Sequence, residues 1–120
     1  MALKYTVDDA QKMIFVDGSG TVTGQDILAS QTEVNEPDFK GRSYNRLIDF
    51  RDVDSFQVSS QEASQIAWNS EKNDAFEKVA LVVSKEFHYG LGRMISERGL
   101  SDRVEVFRIM VGARKWLGLP

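Results

Sequence analysis

Tyr89 and Arg93 stand four residues apart in the octad Phe87-His88-Tyr89-Gly90-Leu91-Gly92-Arg93-Met94, the stretch of the chain richest in chemistry. On a helix, residues at i and i+4 are neighbours, so a phenol and a guanidinium would stand side by side near the helix's amino end. That pairing suits an anionic or polar-headed ligand. Each glycine in a helix interior costs about 1 kcal/mol relative to alanine, so Gly90 and Gly92 imply the close approach of either the sheet or a ligand. Downstream, Ile109-Met110-Val111 carries more apolar surface than a short cap over a sheet requires, and it either covers a cleft or seals a homodimer. Together these stretches predict an apolar pocket lined by Trp68, His88, Tyr89, Arg93, Met94 and Met110, with its head site at Tyr89 and Arg93. The competing reading is glycines for tight helix–sheet packing and a Tyr–Arg stack on the surface.

Other chemistries find little support in the residue types. With no cysteine and a single histidine, the chain has no thiol nucleophile, no disulfide and no transition-metal cluster. His88 reads as a surface or capping residue rather than an acid–base group. Asp49, Asp52 and Asp54 are close enough to suggest a cation loop, but Asp54 falls where a calcium loop needs its turn glycine, and Ser60 where it needs the bidentate glutamate. Gly18, Gly20 and Gly24 follow a strand and open a helix, yet their spacing is not that of a dinucleotide-binding turn, and a complete dinucleotide fold would outgrow the chain. No catalytic residue, metal or cofactor is expected, and the chain is read as a non-enzyme.

The frame holding these residues is one domain over 1–120, since this length buries one core of ordinary size. A hydrophobic content of 42% with 28% charged residues is ordinary for a globular protein. A net charge of −3 and a pI near 5.1 argue against a nucleic-acid binder. Residues 85–120 nonetheless carry more Lys and Arg than Asp and Glu. The amino terminus lacks the apolar core of a signal peptide, and no apolar run approaches the roughly 18 residues that span a membrane, so a cytoplasmic location is expected.

Val79–Val83, the one continuous apolar run, predicts a strand buried on both faces. After it, Ser84 can cap a helix with Phe87, Leu91, Met94 and Ile95 on one stripe, ending at Gly99. Leu3–Val7 and Met13–Val16 predict a hairpin, with Asp17-Gly18-Ser19-Gly20 ending its second strand. Thr23 with Asp26 and Ser59 with Glu62 read as amino-terminal caps of two helices. A third strand holds Leu47 and Ile48, and the Asp-Arg-Asp-Val-Asp tract at 49–54 is expected as the loop beyond it. Phe39 should anchor the connection before that strand. Val104, Val106 and Phe107 predict a last strand, and Ala113, Trp116 and Leu117 a short terminal helix. The order is ββαβαβαβα, an α/β fold with a mixed five-stranded sheet and parallel later strands.

Four of these stretches in order, Leu47-Ile48-Asp49-Phe50-Arg51, Val79-Ala80-Leu81-Val82, Tyr89 to Met94, and Val106-Phe107-Arg108 with Ala113, Trp116 and Leu117, resemble the SpoIIAA-like branch of the STAS superfamily. The resemblance covers nearly the whole chain. It implies a STAS fold and a non-enzymatic regulatory module switched by phosphorylation of a serine at the amino end of the second helix. Here that turn reads Phe56-Gln57-Val58-Ser59-Ser60-Gln61, without the acid and glycine of the family's pattern; depending on the alignment the acceptor position falls on Val58 or Ser59, so Ser59 and Ser60 are the serines that could take a phosphate and the switch is expected to be absent or vestigial. The branch is also similar to lipid-carrying Sec14-type domains, which implies a small apolar or lipid-like ligand and a peripheral contact with membranes. The alternative partner is a regulatory protein.

Overall fold

In a computed structural model, the structure describes residues 3–34, 43–72, 78–86, 89–90, 93 and 103–120. Strand β1 (Leu3–Asp8) pairs antiparallel with β2 (Met13–Thr23). Their turn is closed by the Asp8 carboxylate, which accepts from the Gln11 backbone N–H at 3.0 Å and from its side-chain amide at 2.8 Å. These bonds hold the Asp8 carboxyl below the ordinary aspartate value. Helix α1 (Gly24–Val34) follows, then β3 (Asn45–Gln57), α2 (Ser60–Lys72), β4 (Val79–Val82), β5 (Val104–Phe107) and α3 (Met110–Trp116). Between β4 and β5, Glu86, Tyr89, Gly90 and Arg93 are helical, and the Tyr89 N–H donates to the Lys85 carbonyl at 2.9 Å. The strands lie in the order β1-β2-β3-β4-β5, with every pair after the first parallel.

Both amino-terminal caps form as the Thr-x-x-Asp and Ser-x-x-Glu spacings require. Thr23 Oγ1 accepts from the Asp26 N–H at 3.1 Å while Asp26 accepts from the Thr23 N–H at 2.9 Å. Ser59 and Glu62 exchange the same pair of bonds at 3.1 and 2.9 Å. Each pair satisfies two backbone donors that the first turn of a helix otherwise leaves open.

The apolar run at 79–82 lies between β3 and β5, with Ala80 and Val82 fully buried. Side chains alternate across the sheet and build two cores. On one face, Met13, Leu47, Ala80 and Val82 meet Ala113 and Leu117, with Phe107, Met110 and Trp116 packed around them. On the other, Val22, Phe50, Val53, Val83 and Val106 gather Ile27 of α1, together with Leu81 and Tyr89. Helices α1 and α2 are tied by Gln31, which donates to the Ile66 carbonyl at 3.0 Å and accepts from the Asn69 side chain at 3.1 Å.

Two sequence expectations are corrected here. The Asp17–Gly20 segment does not end β2, and the 49–54 tract is not a loop: β2 and β3 continue together to Thr23 and Gln57. The extension pairs in parallel with register shifts at Asp17/Ser19 and Gly20/Thr21, where Gly20 takes a φ of 68°. Beneath its charged residues the extension buries Val22 and Val53, which secures it as a strand. Gly18 is required by contact, because a Cβ there would come within 2.6 Å of the Phe50 ring. The expected anchor Phe39 and the helix stripe at Phe87, Leu91, Met94, Ile95 and Gly99 lie outside the described residues.

Candidate functional site

Helix α1, after β2, and the helical turn after β4 pack against the core containing Phe50 and Val83, α2 is tied to α1 through Gln31, and α3, after β5, packs against the core containing Met13 and Val82. At the carboxyl ends of β4 and β5 the helical turn and α3 therefore leave for opposite faces of the sheet.

Several bonds fix this end of the sheet. The Val83 N–H donates to the Phe107 carbonyl at 3.0 Å, and the Ser84 hydroxyl donates to the Arg51 carbonyl at 2.9 Å. Lys85 Nζ donates to the Asp54 carbonyl at 2.9 Å and lies 3.8 Å from its carboxylate. Just after β5, Arg108 lays its guanidinium over the Tyr89 ring, 4.2 Å from the centroid, and pairs with Glu86 at 3.0 Å. Both partners of that ion pair are largely exposed, so it orients Arg108 more than it stabilises the fold. Next along the chain, Ile109 and Val111 are 68% and 73% exposed, while Met110 between them turns into the α3 core.

The residues expected to line one pocket are distributed. Tyr89 is half-buried against the core beneath it, and Arg93 is exposed. Trp68 is 56% exposed on α2, and Met110 packs on the opposite sheet face from Tyr89. His88 and Met94 lie outside the described residues. Ser59 and Ser60 are both exposed at the start of α2; the Ser59 hydroxyl serves as the cap, and a phosphate there would sit beside the Glu62 carboxylate. Among the described residues, no group of three His, Cys, Asp or Glu could hold a metal ion, and no helix is long and apolar enough to cross a membrane.

Sequence reasoning missed Arg108, whose role depends on β4 and β5 being neighbours, and Arg46. Arg46 of β3 is 5% exposed, with Nη2 3.3 Å from Ser30 Oγ of α1. Burial lowers its pKa to about 10, against the favourable charge of Glu33. Its position had a signal, since Arg46 shares a strand face with Ile48 and Phe50.

This architecture is a SpoIIAA-like fold. The chain superposes on the crystal structure of an uncharacterized protein of the DUF3478 family with a SpoIIAA-like fold from Shewanella loihica PV-4, with a TM-score of 0.60 over 97% of this chain and 94% of that one. The two sequences are 18% identical, so the likeness is one of fold. No protein-family model matches the chain, and no curated protein does.

Proposed function

We propose that the chain is a non-enzymatic SpoIIAA-like domain that binds an anionic, lipid-like amphiphile at a membrane surface, through the end of β5 and the outer side of α3. The observation that carries this reading is the pairing of two exposed aliphatic side chains, Ile109 and Val111, with an excess of positive charge, Glu86 being the acid that pairs with Arg108. No acid follows Glu105, whereas Arg108, Arg114 and Lys115 do. Val111 and Lys115 are both exposed at i and i+4, on one side of α3.

Fully burying an aliphatic side chain contributes about 1.5–3 kcal/mol, and each cation near an anionic surface about 1 kcal/mol. Such a sum gives weak, reversible attachment, suited to a peripheral domain. Arg93, exposed one turn beyond Tyr89, supplies a further cation for a headgroup.

Co-sedimentation with vesicles tests the reading. The protein should pellet with phosphatidylserine-containing vesicles and much less with pure phosphatidylcholine, and raised salt should weaken binding. The double substitution Ile109→Asp with Val111→Asp should reduce binding at least tenfold while leaving the melting temperature nearly unchanged. No pelleting at low salt, or equal pelleting by the double variant, overturns the proposal. A dimer in sedimentation equilibrium that the same substitutions dissociate would assign the patch to a second copy of the chain instead.

A further inference from the structure

At the opposite edge of the sheet, β1 and α1 leave a cavity of about 170 Å³. We propose that it binds a small zwitterion, an α-amino acid with a short aliphatic side chain, through its carboxylate at Ser30 and its ammonium at Glu33. This site is independent of the α3 surface, being built on the other edge strand.

The cavity follows from the sequence of α1. Its side toward β1 carries Asp26, Ala29, Ser30 and Glu33, at i, i+3, i+4 and i+7. A helix that filled this space would present large apolar side chains, and Ala29 and Ser30 are too small to do so. At about 30 Å³ per water, the space corresponds to roughly six water-sized groups, the size range of alanine to valine. Leu3, Val16 and Ala29 give it an apolar wall suited to an aliphatic body.

Along α1 the cavity offers a hydroxyl at Ser30, bonded to the Arg46 guanidinium, and a carboxylate at Glu33, whose charge also acts favourably on Arg46. Ser30 Oγ accepts from the buried Arg46 guanidinium, which leaves its own O–H to donate with a cation directly behind it. A carboxylate is the acceptor that this end favours. Three residues further along α1, Glu33 offers a carboxylate, of which Oε1 takes the Tyr5 hydroxyl at 2.5 Å and Oε2 remains to receive an ammonium. Neighbours at i and i+3 have Cβ atoms about 5–6 Å apart, a separation that the adjacent charges of one α-amino acid can bridge. Asp26 is committed to the Thr23 N–H as a cap. Lys4 and Arg46 balance Asp26 and Glu33 in charge, so the surroundings favour a ligand that is neutral overall but charged at both ends.

The test is an NMR titration of the ¹⁵N-labelled chain with L-valine, isovalerate and isobutylamine, the last two lacking the ammonium and the carboxylate respectively. L-valine should shift amide signals of β1 and α1, and each truncated analogue should bind at least tenfold more weakly. Glu33→Gln, which keeps the acceptor for Tyr5, should weaken valine binding at least tenfold, and Ala29→Leu should abolish it by filling the space without lowering the melting temperature. Should Ala29→Leu fail to fold, Glu33→Gln decides. The proposal is overturned if valine leaves those amides unmoved, if isovalerate or isobutylamine binds as well as valine, or if Glu33→Gln binds valine normally.

Discussion

The two faces of the sheet are packed by different means. Beneath α3 the core is apolar throughout, with Met13, Leu47, Ala80, Val82, Ala113 and Leu117 meeting. On the side of α1 and α2 the packing includes two buried polar residues, Arg46 of β3, bonded to Ser30 of α1, and Gln31 of α1, bonded to Ile66 of α2. An apolar face gains its stability from area removed from water and tolerates no charge. The helix-pair face accepts a cost for polar groups and obtains defined contacts between α1, α2 and the strands in return.

Placing a charge on the apolar face should give the largest effect. Val82→Asp would bury a carboxylate with no partner and cost several kcal/mol, comparable with the stability of a whole domain. Its circular-dichroism spectrum should be that of an unfolded chain at room temperature, and a cooperative melt near the wild-type temperature would show that the two faces do not differ as argued.

Removing a charge from the other face should act in the opposite direction. Burial lowers the Arg46 pKa to about 10 in the folded chain, well below the ordinary guanidinium value, so the folded state binds this proton less tightly than the unfolded state. The penalty is present in full at neutral pH and is relieved only as pH rises past about 10. Arg46→Met should therefore raise stability at pH 7 by about 1–3 kcal/mol in urea denaturation. The gain over wild type should narrow above pH 10. A loss of stability in Arg46→Met would mean that the guanidinium's bonds outweigh its desolvation.

The cap between these faces and solvent should show the smallest change. Ser59→Ala removes one of the two reciprocal bonds at the start of α2 and should cost about 1 kcal/mol by thermal melting. An unchanged melt would indicate that Glu62 alone satisfies the terminus.

The two faces also differed in how far the sequence revealed them. The run Val79–Val83, of which β4 takes Val79–Val82, announced itself because a strand covered on both sides has no polar position to alternate. The β2–β3 extension concealed itself because Arg51, Asp52 and Asp54 are exposed between its inward-facing Phe50, Val53 and Phe56. Its register shifts also break the two-residue period on which strand reading depends. Both caps were legible because they are local, with donor and acceptor three residues apart. The Arg108–Tyr89 stack, the Ser30–Arg46 bond and the Tyr5–Glu33 bond were not, since each joins side chains from elements that only the sheet order makes neighbours.

The strand order has a consequence for a chain emerging from the ribosome. Because each strand after β1 adds next to its predecessor, the sheet can grow outward at a single edge during synthesis, with no need to insert a strand between two already paired. The crossovers α1 and α2 arrive along with the strands they connect and can shield their face as it forms. Helix α3 follows every strand, yet its partners Met13, Leu47 and Ala80 belong to β2, β3 and β4. Among the described elements α3 is the helix that covers this second face, so until it emerges the apolar side chains of Met13, Leu47 and Ala80 are where a holding chaperone would find its target.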